Sequence, residues 1–279
     1  MSELTSAAGE AAGAASGNRP PAPAGVPAGR AAALTAQGLR KHFGSLQVAR
    51  DISFHLPVGA RFALIGPNGA GKTTLINLLT GMLRPESGRI FLGRDDVTSV
   101  EPAVRVKRGL VRTFQINALF PDLAPLEAVA LAVCERKGSA GAFWRPLPAY
   151  RDELEEAYAL LQSVHLAEDC LRPTRELAYG QQRLLEMALA LATRPRVLLL
   201  DEPAAGVPRD ESSALFAAIA ALPDDITVLF IEHDMSLVFR FASRIIVMVA
   251  GGILMEGSPA EIAGDAQVRE LYLGKGGHV

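Results

Sequence analysis

Gly66-Pro67-Asn68-Gly69-Ala70-Gly71-Lys72-Thr73-Thr74 decides how this chain is read. Phe62-Ala63-Leu64-Ile65 precedes it and Leu75-Ile76-Asn77-Leu78-Leu79 follows it, both strongly apolar. The pattern G-x-x-x-x-G-K-[ST] thus stands in the setting its chemistry requires, between a buried strand and a helix. Three glycines let the backbone curl so that successive N–H groups point inward at phosphate oxygens. A helix beginning at about Lys72 turns the positive end of its dipole toward the same anion. Lys72 is placed to reach the β- and γ-phosphates of ATP, and the Thr73 hydroxyl to bind Mg²⁺. A glycine turn before an ordinary helix is the competing reading, and the strand–loop–helix context argues against it.

The 279 residues suffice for one large domain or two modest ones with a sizeable core. Hydrophobic residues make up 49% and charged residues 21%, ordinary values for a folded soluble protein. A net charge of −2 supplies no global basic field, so nucleic acid is not expected as a partner. Cys134 and Cys170 form no metal or redox motif and read as reduced thiols in a cytoplasmic protein. No apolar run approaches the roughly 18 residues of a membrane helix. The longest, Ile245 to Met255, is broken by Gly251-Gly252. The N-terminus lacks a basic segment followed by an apolar one, so a secretory signal is not expected.

Taken in order, residues 1–32 are mostly Ala, Gly, Pro and Ser, and disorder is expected there. Leu34 to Phe43 reads as a first strand. Asp51 to Leu56 alternates apolar and polar as a half-buried strand does. Pro57-Val58-Gly59 turns into the strand before the phosphate loop. After the loop's helix come a break at Arg84 to Gly88 and a short strand, Arg89 to Gly93. Val104 to Gly109 is a basic stretch expected as a short exposed helix, and Leu110 to Gln115 returns to strand character. From about 116 to 180 the sequence turns Ala-, Leu- and Glu-rich, with helical spacing over Leu126 to Arg136 and Arg151 to Val164. This is a helical insertion between strands, with a loop over Lys137 to Pro148. Gln181 to Ala192 and Ser212 to Leu222 read as helices, and Thr227 to Ile231 as a buried strand. Ile245 to Glu256 reads as a hairpin turning at Gly251-Gly252, and Ala260 to Leu273 as one or two short helices. Residues 274–279 are a short tail.

Val197-Leu198-Leu199-Leu200 is a continuous apolar run ending in Asp201-Glu202, the mark of a parallel strand buried on both faces. Ligands of open α/β sheets bind beyond the carboxyl ends of strands. Three strands here end in groups suited to one MgATP site: the phosphate loop, Asp201-Glu202 and His233. An acid directly after a buried apolar run is costly unless it serves a purpose. Asp201 is expected to hold Mg²⁺ through water, and Glu202 to polarise the attacking water beside the γ-phosphate. A lone histidine is more often structural, but the strand-end position of His233 reverses that judgement.

Leu177-Ala178-Tyr179-Gly180-Gln181-Gln182, just before the helix leading to the Asp201 strand, resembles the L-S-G-G-Q signature of ABC-transporter ATPases. With Gln115 as its Q-loop residue and His233 as its switch histidine, the resemblance spans about residues 34–273. It implies an α/β fold: a P-loop NTPase core with an antiparallel β subdomain and an inserted helical subdomain. It also implies a second ATPase chain, identical or different, facing the first head to tail around two ATPs. Phe43 would then stack on adenine, Gln115 would contact Mg²⁺ or the attacking water, Glu202 would be the general base, and His233 would contact the γ-phosphate. Leu177, Ala178, Tyr179, Gly180 and Gln181 would meet the ATP of the partner. Two departures stand out. Ala178 and Tyr179 replace the usual serine and glycine, removing a hydroxyl contact to phosphate. The segment after Glu202, Pro203-Ala204-Ala205-Gly206-Val207-Pro208, differs from the commoner Leu-Asp or Leu-Asn version.

A narrower likeness is carried by the signature, by Glu232-His233-Asp234-Met235, by Gly257 to Ile262 and by Val268 to Gly274. These segments are similar to the ATPases of branched-chain amino acid importers, a group that includes urea and amide importers. The likeness implies two transmembrane permease subunits, a periplasmic binding protein, and a peripheral place on the cytoplasmic face of the inner membrane. The ATPase of a lipid or lipopolysaccharide exporter is the alternative within transport. A soluble ABC ATPase of repair or translation, which usually carries two ATPase units, coiled-coil arms or zinc cysteines, fits less well, since this chain has one ATPase unit, no heptads and no basic field.

Overall fold

The computed structural model describes residues 31–113, 119–139 and 150–273. The expected N-terminal tail up to residue 30, Gln115, most of the loop between 137 and 148, and the tail 274–279 lie outside the described residues.

Parallel pairing of buried strands organises the molecule. Strands β3 (Arg61–Ile65), β6 (Leu110–Arg112), β7 (Val197–Asp201), β8 (Thr227–Ile231) and β9 (Arg244–Val249) lie side by side. Closed at one edge by β10 (Gly252–Gly257), they form a six-stranded sheet in the order β10-β9-β3-β8-β7-β6. All pairs are parallel except the β9–β10 hairpin, which turns at Ala250-Gly251, one residue before the expected Gly251-Gly252, since Gly252 already pairs with Val249. β7 and β8 are buried at every position, which is why they read as unbroken apolar runs.

Side-chain alternation splits the core cleanly in two. Ala63, Ile65, Leu198, Leu200, Val228, Phe230, Ile245 and Val247 face one side. There they meet the helices α3 (Pro125–Lys137), α4 (Arg151–Ser163), α5 (Tyr179–Ala192) and α6 (Arg209–Ala220). Phe62, Leu64, Val197, Leu199, Leu229, Ile231, Ile246 and Met248 face the other side. There they meet α1 (Lys72–Thr80) and a four-stranded antiparallel sheet. That second sheet runs β2-β1-β4-β5, built from β1 (Ala32–Phe43), β2 (Leu46–Pro57), β4 (Ser87–Leu92) and β5 (Asp95–Asp96). β2 begins five residues before the segment the alternation marks, at Leu46 rather than Asp51. Register shifts interrupt the β1–β2 ladder, and Asp51 itself has φ 55°, so the period-2 pattern breaks upstream of it.

The chain leaves the parallel sheet after β6 and returns to it at β7, with α3, α4 and α5 in between and packed on one another. α5 starts two residues before the expected helix, so Tyr179 and Gly180 belong to its first turn rather than to a preceding loop. After β8 come α7 (Met235–Phe241), and after β10 the closing helices α8 (Pro259–Gly264) and α9 (Ala266–Leu273).

One expectation needs correcting. The basic stretch from Val104 forms α2 (Pro102–Lys107), but Arg105 is not exposed: only 1% of its surface meets solvent. Its guanidinium donates from Nη1 to the Leu78 and Leu79 carbonyls, from Nη2 to Thr98 O (3.0 Å) and from Nε to Val100 O (2.8 Å). Leu78 and Leu79 lie in the last turn of α1, where carbonyls run short of helical donors and Leu78 O accepts only the N–H of the C-cap Gly81. A cation there satisfies them and complements the negative end of the helix dipole. A sequence window sees three basic residues, Arg105, Lys107 and Arg108, and cannot see the carbonyls that claim one of them.

Replacing Arg105 by Met should therefore remove about 3 kcal/mol or more, because buried carbonyls left without donors cost about 1–3 kcal/mol each. A urea titration should show a lower midpoint with an unchanged slope. An unaltered midpoint would mean that water takes over these carbonyls.

Candidate nucleotide site

The loop between β3 and α1 is wedged between the two sheets. A Cβ on Gly66 would lie 2.3 Å from the Met248 carbonyl oxygen. A Cβ on Gly71 would lie 2.6 Å from Val48 O, and Gly71 has φ 98°. Gly69, with φ 80°, has open space around it. α1 begins at Lys72 with Gly71 as its N-cap, so no side chain of the cap competes for the first helical N–H groups. Lys72 is buried, and its Nζ donates to Gly66 O (2.6 Å) and Pro67 O (3.1 Å). Burial lowers its pKa, and the nearby Glu202 and Asp201 oppose that shift. Thr73 is exposed in the first turn, Thr74 is half-buried, and Pro67 and Asn68 face solvent while Ala70 packs inward.

Three acids surround the ends of β7 and β8, each with its own compensation. Asp201 is buried and pairs with Arg112, Nη2 to Oδ2 at 2.6 Å. Glu202 takes a left-handed conformation, φ 50°, which turns its side chain out of the buried run. Its Oε1 lies 2.6 Å from Nε2 of His233, so the structure brings these two sequence-predicted residues into direct contact. Glu232 is buried and accepts the backbone N–H of Ala204 (2.9 Å) and of His233 (3.2 Å). Desolvation raises its pKa against those two hydrogen bonds. Sequence reading missed both Arg112 and Glu232. Glu232 carried a signal, since an acid directly after the buried run Thr227 to Ile231 needs a partner as much as Asp201 does.

Phe43, at the end of β1, leaves 51% of its surface exposed, with Lys41 Nζ 6.0 Å from the ring centre. The loop geometry, the cation Lys72 and the oxygen donors Thr73 and Asp201 fit a nucleotide with Mg²⁺, a hard cation that takes few protein ligands beside phosphate and water. Among the described residues no group of three or more His, Cys, Asp and Glu could hold a metal ion.

A family model described as ABC transporter matches residues 49–205. The chain belongs to the ABC transporter family. Over 249 residues it is 38% identical to BraF of Pseudomonas aeruginosa, a high-affinity branched-chain amino acid transport ATP-binding protein, covering 87% of this chain and 98% of BraF. LivG of Escherichia coli K12, of the same description, is 38% identical over 251 residues, with 87% and 98% covered. The ADP conformation of MJ1267, an ATP-binding cassette of an ABC transporter, matches with a TM-score of 0.76 and 31% identity. That match covers 88% of this chain and 99% of MJ1267. The ABC fold is thus an α/β P-loop cassette, and the chain is an ATP-binding, ATP-hydrolysing subunit.

The departures in the signature of this ABC ATPase have structural consequences. Leu177 is buried; Ala178 sits at the N-cap of α5 with an extended backbone and offers no side-chain acceptor. Gln181 Oε1 accepts the Ala178 N–H (3.0 Å), and its Nε2 donates to Asp169. The Tyr179 ring lies under Arg183, 5.0 Å from its guanidinium carbon, and its hydroxyl accepts from Arg183 Nη2 (2.6 Å). The Gly180 N–H donates to Glu211 Oε2 on α6 at 3.1 Å. A Cβ on Gly180 would lie 2.2 Å from that oxygen. Gln115 lies outside the described residues.

Gly66→Ala should cost about 3 kcal/mol or more, since backbone cannot retreat from the new methyl group. Gly69→Ala should cost only about 1–2 kcal/mol, the strain of a left-handed non-glycine residue. Melting temperatures of the two variants test this, and equal losses would contradict the wedge geometry.

Proposed function

We propose that this chain powers import of branched-chain or other hydrophobic amino acids or amides. The observation that carries the reading is the 38% identity to BraF and LivG over 98% of their lengths. Two such ATPase chains, identical or different, would sandwich two ATPs beneath two permease subunits served by a periplasmic binding protein. No helix among the described residues is long and apolar enough to cross a membrane. The permeases would therefore hold the chain at the cytoplasmic face of the inner membrane.

In this mechanism Phe43 stacks on the adenine and the residues Gly66 to Thr74 enclose the phosphates. Lys72 Nζ exchanges its two carbonyl partners for β- and γ-phosphate oxygens, a charge-assisted and stronger interaction. Thr73, Asp201 and Gln115 would hold Mg²⁺, which would neutralise charge on the phosphates. Glu202 accepts a proton from the attacking water, and His233, in contact with it, orients that carboxylate and contacts the γ-phosphate. Glu232 ties the turn after Glu202 to the backbone of His233. The segment Leu177-Ala178-Tyr179-Gly180-Gln181 faces the nucleotide of the partner, with N–H groups in place of the missing serine hydroxyl.

In the assembled transporter, a leucine-loaded binding protein should stimulate ATP hydrolysis. Glu202→Gln should slow that turnover by on the order of 10²–10⁴ while ATP still binds, the usual effect of losing a general base. Lys72→Ala should lose nucleotide affinity without unfolding the domain. No stimulation by any hydrophobic amino acid or amide would refute the substrate class, and normal turnover of Glu202→Gln would place the base elsewhere.

Gly180→Asp should stop turnover of the assembled transporter yet leave the ATP affinity of the isolated chain almost intact. The new side chain displaces the flexible Glu211 carboxylate and sets a negative charge where a partner's γ-phosphate would arrive. Weakened ATP binding by the isolated chain, as severe as in Lys72→Ala, would mean that the motif acts on its own chain's nucleotide.

A further inference from the structure

Arg112 has no part in the roles above, yet it joins two of the elements that carry them. It ends the short strand β6, opposite Leu199 of β7 and thus two residues before Asp201. Its Nη2 lies 2.6 Å from Asp201 Oδ2, and its Nη1 donates to Asn77 Oδ1 at 2.7 Å. The contact is well shielded: 14% of the Arg112 side chain and 4% of the Asp201 side chain are exposed. Asn77 lies four residues after Thr73 on α1, so the two share a helix face one turn apart. The guanidinium therefore bridges the helix that presents Thr73 and the strand that presents Asp201.

We propose that Arg112 is the positioning residue of the metal site. It fixes the spacing and orientation between Thr73 and Asp201 by gripping one carboxylate oxygen and, through Asn77, the helix of the phosphate loop. The grip on Oδ2 leaves Asp201 Oδ1 as the oxygen to face the hydration shell of the ion. Arginine suits the task and lysine does not. A planar guanidinium holds two acceptors at once in a fixed geometry, whereas an ammonium is a point charge on a flexible stem. A carboxylate that ligates a metal gains affinity when a neighbour fixes its rotamer, and losing such a neighbour costs about 10–100-fold in metal affinity. The positive charge of Arg112 itself repels a divalent ion, so positioning and repulsion predict opposite effects of its removal.

The proposal rests on the Mg²⁺ reading above, and the experiment separates the two. The full chain is loaded with a non-hydrolysable ATP analogue, and Mn²⁺ affinity is measured by electron paramagnetic resonance. Analogue affinity is measured separately in EDTA. Arg112→Lys and Arg112→Gln should weaken Mn²⁺ binding about 10–100-fold while leaving analogue affinity in EDTA within about twofold. Asn77→Ala, a milder change that keeps the ion pair, should weaken Mn²⁺ in the same direction. Combined with Arg112→Lys it should add little, because both break one bridge. Unchanged Mn²⁺ affinity in the variants, tighter Mn²⁺ binding, or an equal loss in EDTA would each overturn the proposal. Absence of protein-dependent Mn²⁺ binding in the wild-type chain would instead overturn the metal reading itself.

Discussion

Burial of the parallel sheet on both faces is the constraint on which the rest depends. Inside β3, β7 and β8 an unpaired polar side chain would face hydrocarbon above or below, at a cost of several kcal/mol. Polar groups are therefore pushed to the strand ends, and parallel pairing gathers those ends along one edge of the sheet. The phosphate loop after Ile65, Asp201-Glu202 after Leu200 and Glu232-His233 after Ile231 are neighbours for this reason. The close packing that makes the strands legible as apolar runs also makes the site possible.

Gathering three carboxylates so closely creates an electrostatic problem that is solved separately for each. Asp201 has a guanidinium, Glu202 an imidazole and Glu232 two backbone N–H groups. The solutions differ in reversibility. Glu232 is fixed by main chain and buried, so it serves as a rivet between two loops. Glu202 and His233 are partly exposed, 27% and 48% by side chain, and can exchange each other for water or phosphate. Lys72 is held between these arrangements, bonded to carbonyls of its own loop while the field of Asp201 and Glu202 supports its charge.

Local pattern carried most of the architecture. The runs before Gly66, Asp201 and Glu232, the helix start at Lys72 and the hairpin at Gly251 follow from periodicity, glycine and burial alone. β2 was shortened because bulges break a period-2 template. Arg105 differs from its expected place because two of its four carbonyl partners belong to α1, more than twenty residues away. Arg112 escaped notice for the same reason on a larger scale: Asp201 lies 89 residues along the chain. Within Leu110 to Thr113 an arginine in a strand looks like a solvated charge. Residue identity marks chemistry that lies within one motif, whereas chemistry assembled between elements shows only in the fold.

The signature segment combines both kinds of information. Its sequence shows that a hydroxyl is missing, and its structure shows what fills the gap. With Ala178 unable to cap α5, the Glu211 carboxylate from α6 accepts the Gly180 N–H instead. A carboxylate and a phosphate are both anions with oxygen acceptors, so one N–H cannot serve the two together. Any phosphate that reaches Gly180 must move Glu211 aside, and Glu211 is exposed on a flexible side chain that can leave. Glycine at this position leaves the carboxylate room to approach, since any Cβ would occupy its place. The substitution of alanine for serine and the retention of glycine two residues later are thus two sides of one arrangement around a single helix N-terminus.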